Sequence, residues 1–128
     1  MALKVTVTEK EPGIFSLLPV GSIDTATAPI LEGEVDGVLA RSPRIVIFDM
    51  GGVEYISSMG VRVIIKTKKA LANSAGRFVM VEIPPQVKRV FDIIYALPKQ
   101  EIFESIEELD EYLAAMQRQV LEEGEDSK

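Results

Sequence analysis

Residues 45–48 (Ile-Val-Ile-Phe) form a continuous apolar run, rich in β-branched residues and closed by Asp49. A run that short and that apolar reads as a central strand covered on at least one face and often both. The spacing changes to a helical period on either side of it. Ile30, Leu31, Val35, Val38 and Leu39 precede it, and Val61, Ile64, Ile65 and Leu71 follow it, each set marking one face of a helix. A buried strand between two such helices implies crossover connections, which join parallel neighbours and are right-handed.

The rest of the chain extends this frame. Leu3, Val5 and Val7 alternate with Lys4, Thr6 and Thr8, a half-buried strand that turns at Glu11-Pro12-Gly13. Ile14 to Val20 reads as the returning strand of a hairpin, with Pro19 suggesting an edge or a terminus. Gly21-Ser22-Ile23-Asp24 reads as a loop. Thr25 or Thr27 then caps a helix that carries Pro29 near its start and runs to Ala40. The second helix is predicted over Gly60 to Ala72, with a glycine cap at Gly76. Phe78 to Val81 is a short strand, and Pro84-Pro85 opens a helix with Val87, Val90, Phe91 and Ile94 inward. Ile102-Phe103 is a brief last strand. Ser105 and Glu108 have the capping-box spacing for a final helix that runs to about Leu121, with Ile106, Leu109, Leu113, Met116 and Val120 inward. The fold class is therefore α/β, shading to α+β: one layer with a mixed, mostly parallel sheet of four or five strands and about four helices, mainly on one face. Residues 1–121 form the domain, and 122–128 are an acidic, frayed tail.

Composition narrows the function. The 128 residues contain no cysteine and no histidine. This excludes a disulfide framework, a thiolate metal site, a cysteine nucleophile and every mechanism that needs an imidazole base. No metal site or cofactor is expected. The net charge of −6 opposes a nucleic-acid partner, since phosphate binding needs clustered Lys and Arg. The basic runs Lys66, Lys68, Lys69 and Lys88, Arg89 read as solvated helix faces. No apolar stretch reaches membrane-spanning length, and residues 1–4 lack the layout of a signal peptide, so a cytoplasmic protein is expected.

The informative stretch is Asp49 to Arg62, DMGGVEYISSMGVR. A buried strand ends in an acid, and a loop delivers Ser57 and Ser58 to a helix start. First-turn amides lack intrahelical partners, so a serine there acts as a cap. The same free N–H groups and the helix dipole also favour a phosphate. Both readings, plain cap and phosphoacceptor, follow from the residues. The Gly51-Gly52 pair suggests a nucleotide loop, but neither GxxxxGK[ST] nor GxGxxG is present. A serine nucleophile lacks the GxSxG elbow, a histidine base and an SxxK motif.

Three blocks carry a resemblance. Tyr55-Ile56-Ser57-Ser58-Met59-Gly60-Val61, Gly21-Ser22-Ile23-Asp24 and Pro85-Gln86-Val87-Lys88-Arg89-Val90-Phe91-Asp92 lie in the order found in STAS domains. They resemble most closely the anti-sigma factor antagonists of sporulation and general stress pathways, over about residues 3 to 113. The resemblance implies a non-enzymatic phosphoprotein that acts by partner switching in transcription regulation. Unphosphorylated, it would bind an anti-sigma factor that is also a serine kinase. Phosphorylation of Ser58 would release it, and a metal-dependent phosphatase of the PP2C type would reset it. Asp24, Ser57, Ser58, Met59 and Arg62 would form the contact, supported by Asp49 and Gly60. Ser57 replaces the family's usual Asp, which leaves Ser57 as the alternative acceptor, and Met59 replaces a small residue. The chain would act as a monomer or weak homodimer. The alternatives are a STAS scaffold subunit of a stressosome-like or transporter-associated kind, or a small nucleotide-binding protein.

Overall fold

The computed structural model describes residues 2–96 and 106–126. The elements are β1 Lys4–Glu11, β2 Ile14–Ile23, α1 Ala28–Leu39, β3 Ile45–Asp49, β4 Val53–Ile56, α2 Ser58–Asn73, β5 Arg77–Val81, α3 Pro85–Ala96 and α4 Ile106–Asp126. They build the expected α/β layer, with a five-stranded mixed sheet in the order β1-β2-β3-β5 and β4 added beside β2. The β1–β2 hairpin is antiparallel, and every other pairing is parallel.

Strand alternation sets the core. Phe15 and Leu17 of β2 and Val46 and Phe48 of β3 point to one face and are buried, while Ile14, Ser16, Ile45 and Ile47 alternate with them and stay partly exposed. The helices cover the buried face with Leu31, Val35 and Val38 of α1, Val61, Ile64 and Leu71 of α2, Val87 and Val90 of α3 and Leu113 of α4.

Several local expectations are corrected. β2 is a central strand that continues through Gly21-Ser22-Ile23, where a loop was predicted. Its parallel partner changes from β3 (along Ile14–Leu17) to β4 (from Gly21 on). Pro19 lies between those two stretches, so its missing N–H removes no rung to either, and an edge position is not needed. Gly21 has φ +121° at the irregularity, and a Cβ there would lie 2.7 Å from the Ala2 carbonyl oxygen. Ile30, expected inward, is 47% exposed, and Ala28 takes its place in the core. α2 starts at Ser58 rather than Gly60. At its end the left-handed residue is Ala75 (φ +61°) and not Gly76, whose N–H donates to the Leu71 carbonyl at 2.7 Å. α4 continues to Asp126, so residues 122–126 are helical where a frayed tail was expected. The predicted strand at Ile102-Phe103, the cap at Ser105 with Glu108, and the inward side chains of Ile106 and Leu109 lie outside the described residues.

Candidate functional site

The parallel pair β2–β4 brings two helix starts together. β2 ends at Ile23 and leads into α1, and β4 ends at Ile56 and leads into α2. Ile23 is opposite Ile56, and the Ser57 N–H donates to the Ile23 carbonyl at 2.8 Å. Asp24 and Ser57–Ser58 therefore sit at the same edge of the sheet.

On the first side, Asp24 and Thr27 lock the turn into α1. The Thr27 N–H donates to Asp24 Oδ1 at 2.9 Å, the Asp24 N–H donates to Thr27 Oγ1 at 2.8 Å, and the Thr27 hydroxyl donates to the Ser22 carbonyl at 2.7 Å. Thr27, not Thr25, is the N-cap residue. Burial works to raise the Asp24 pKa, but hydrogen bonds from Thr27 and the Ala26 N–H outweigh it and hold the carboxyl below its ordinary value.

On the second side, the two serines have different environments. Ser57 is buried in extended conformation (ψ 174°) as the N-cap of α2, its hydroxyl accepting from the Gly60 N–H at 3.4 Å. Gly60 is required by packing: a Cβ would lie 2.7 Å from both Ile23 Cγ2 and Ile56 Cγ1. Ser58 is the first residue of α2 and partly exposed, but its Oγ is closed off from solvent and has no hydrogen-bond partner. A hydroxyl open to a kinase, which the phosphoacceptor reading of Ser58 requires, is thus not found in this conformation.

Two residues that sequence reasoning missed bind the backbone on either side of Ser57, and both are on α4. Asp110 Oδ1 accepts from the Ser58 N–H at 2.8 Å. Gln117, buried, accepts from the Ile56 N–H through Oε1 at 2.9 Å and donates to the Ile56 carbonyl through Nε2 at 2.8 Å. Gln86 of α3 donates to the Glu54 carbonyl at 3.2 Å. Together the glutamines complete the side of β4 that faces away from β2. Tyr55 stands nearby, its phenol pushed above its ordinary pKa by burial first and then by the charges of Asp110 and Asp24. The only sequence signal for Gln117 is a polar residue one turn after Leu113 on the inward stripe of α4.

A groove of about 920 Å³ runs along α2 and is bounded by Ala28, Pro29 and Glu32 of α1 and by Ile94 of α3. Ser58, Met59 and Arg62 line it, so three of the proposed contact residues share one surface, with Lys66 and Lys69 further along. Lys66 pairs with Glu32 at 2.8 Å across the groove. Asp49 serves a turn, its Oδ1 accepting from the Gly51 N–H at 3.0 Å. Gly52 packs against Val20 and accepts from the Gly21 N–H at 2.9 Å, so the glycine pair forms a tight turn fastened to β2.

A model of the STAS domain family matches residues 6–109. The chain belongs to the STAS domain family. BtrV of Bordetella bronchiseptica, a relative named for an anti-sigma factor antagonist role, is 34% identical over 91 residues, covering 71% of this chain and 78% of its own. Among solved structures, an anti-sigma factor antagonist from Mycobacterium paratuberculosis is 27% identical with a TM-score of 0.61, over 89% of this chain and 93% of its own. The antagonist SpoIIAA in its unphosphorylated form shares the fold at 14% identity and a TM-score of 0.62, over 70% of this chain and 83% of its own. Among the described residues no helix is long and apolar enough to cross a membrane.

Proposed function

We propose that this STAS domain is an anti-sigma factor antagonist that works by partner switching, with Ser58 as its switch residue. The observation that carries the reading is the shared surface at the start of α2: Ser58 lies on the same groove as Met59 and Arg62, next to the Asp24 turn. The likeness to BtrV supports it. In the unmodified state the groove receives an anti-sigma factor with serine kinase activity, which frees the sigma factor. In the switching step Ser58 Oγ bonds to the γ-phosphorus of ATP, the bond to the ADP oxygen breaks, and the hydroxyl proton passes to a base of the kinase. The product adds about −1.5 to −2 charges where a helix start tolerates an anion, so the fold survives while the docking surface changes. A PP2C-type phosphatase reverses the step. The chain is not itself a catalyst, and its site of action is the cytoplasm.

The test is phosphate transfer from labelled ATP by an anti-sigma serine kinase encoded in the source genome. Ser58→Ala should fold normally and take up no label. Undiminished label, or label on Ser57, refutes the assignment. One observation favours a second reading, a STAS scaffold subunit that docks constitutively: the closed Ser58 hydroxyl. On that reading the chain runs as a large assembly on size exclusion and takes no label from any serine kinase.

A further inference from the structure

The start of α2 favours an anion, and α4 supplies one. Among the first-turn donors of α2, the Ser58 N–H is taken by the Asp110 carboxylate at 2.8 Å. Two turns along the same helix, Gln117 holds the N–H and the carbonyl of Ile56 as a neighbouring strand would. One helix thus grips the last residue of β4 and the first residue of α2, on either side of Ser57. The Ser58 hydroxyl is left closed off from solvent without a partner. A sealed, unpaired hydroxyl is unfavourable, and lifting α4 relieves it by admitting water.

We propose that α4 is an intramolecular latch on the switch serine. Docked through Asp110 and Gln117, it closes Ser58 to phosphorylation, and a phosphoryl group on Ser58 displaces Asp110 from the start of α2 and keeps α4 undocked. The inference deepens the reading of Ser58 as the switch residue and rests on it. Its physical basis is competition. A carboxylate and a phosphate at Ser58 call on the same amide donors and the same dipole, and they repel each other. Asp24 stands at the same edge of the sheet and adds to the repulsion, while Arg62, one turn along α2 on the groove that Ser58 lines, is a cation the phosphate can pair with once Asp110 has left. The strand-like clasp at Ile56 tolerates little displacement, because both of its hydrogen bonds come from one carboxamide. α4 is therefore expected to leave as a unit.

The absence of cysteine from the chain permits a test without any kinase. Ser58→Cys and, as an exposed reference on α2, Ala72→Cys are each treated with a thiol-reactive disulfide reagent. Each native rate is divided by that of the same chain in guanidinium chloride, which removes differences in intrinsic reactivity. The cysteine at 58 should react at least about tenfold more slowly than the one at 72, because it reacts only from the opened state. Adding Asp110→Ala and Gln117→Ala should bring it to within about threefold of the reference. Equal rates in the parent, or protection that survives the double change, overturn the latch. Should the double variant unfold, Asp110→Asn alone, which keeps the shape, must still raise the rate at position 58, and no rise overturns the proposal. For the second half, phosphoserine is placed at position 58 by nonsense suppression and amide hydrogen exchange is followed over 110–123. Loss of protection there supports displacement, and protection equal to that of the unmodified chain overturns it. Failure of a kinase to label Ser58 would strike the proposed function and leave these results standing. The converse also holds.

Discussion

Replacing Gln117 with leucine probes the clasp between α4 and β4 by removing both of its hydrogen-bonding groups while keeping a side chain that fills the site. The wild-type side chain is 2% exposed, and Ile56, which it holds, is fully buried. The change leaves one N–H and one carbonyl without partners in a site that water does not reach. Each such group costs about 1–3 kcal/mol when stranded, so the gross loss is about 2–6 kcal/mol. Leucine returns roughly 1 kcal/mol through apolar burial. The expected net loss is thus about 1–5 kcal/mol, set against the roughly 5–15 kcal/mol of a typical domain. With a urea slope of about 1–3 kcal/mol/M, a loss of about 3 kcal/mol, in the middle of that range, lowers the midpoint by about 1–3 M. The loss has a ceiling. Once it exceeds the free energy that docks α4, the helix lifts, water satisfies Ile56, and the decrease stops growing. Amide exchange separates the two routes, since undocking exposes α4 and the Ile56 amide while β2 and β3 stay protected. Gln117→Glu adds a control with a definite sign. An ionised carboxylate accepts from the Ile56 N–H but cannot donate to its carbonyl, whereas a protonated one does both. That variant should recover stability as pH falls through the range where the buried acid protonates. A loss below about 0.5 kcal/mol for Gln117→Leu would refute the reasoning, because it would mean that the stranded groups find partners without Gln117.

The two glycine classes should respond oppositely to alanine. Gly37→Ala meets nothing within 4 Å and should stabilise α1 by about 0.5–1 kcal/mol, while Gly60→Ala drives a methyl against Ile23 and Ile56 and should destabilise by about 1–3 kcal/mol, less a similar propensity gain; thermal melts read both. Ser57→Ala removes the N-cap of α2, and its hydrogen bond at 3.4 Å points to a loss near 0.5–1 kcal/mol by chemical denaturation. Asp24 has a folded pKa below its ordinary 3.8, so its stabilising contribution is complete above that pH and is lost as pH falls below it. A carboxyl titration followed by NMR should place its midpoint below 3.8, and Thr27→Val should move the midpoint upward.

Local period and chemistry carried much of the structure. The hairpin at Gly13, the buried strand at Ile45–Phe48, and the helices begun at Thr27 and Pro85 depend on spacings within a dozen residues, so they are legible from the residues alone. So was the placement of Ser57 and Ser58 at a helix start, because capping is a local hydrogen bond. β4 was missed for the opposite reason. It spans only Val53–Ile56 between glycine and serine runs, and it is a strand because the far end of β2 pairs with it and glutamines 32 and 61 residues away complete its other side.

The sequence by itself determined the class of layer, the crossover order, the absence of cysteine and histidine chemistry, and which short stretch could act. Only the tertiary structure decided whether that stretch is open. The Ser58 hydroxyl is buried, and the backbone groups on either side of Ser57 are held by Asp110 and Gln117 of the last helix; no local period encodes which distant carboxylate or amide satisfies a backbone group. The need to pair every buried N–H and carbonyl is general, but the partner is chosen only when the chain is folded.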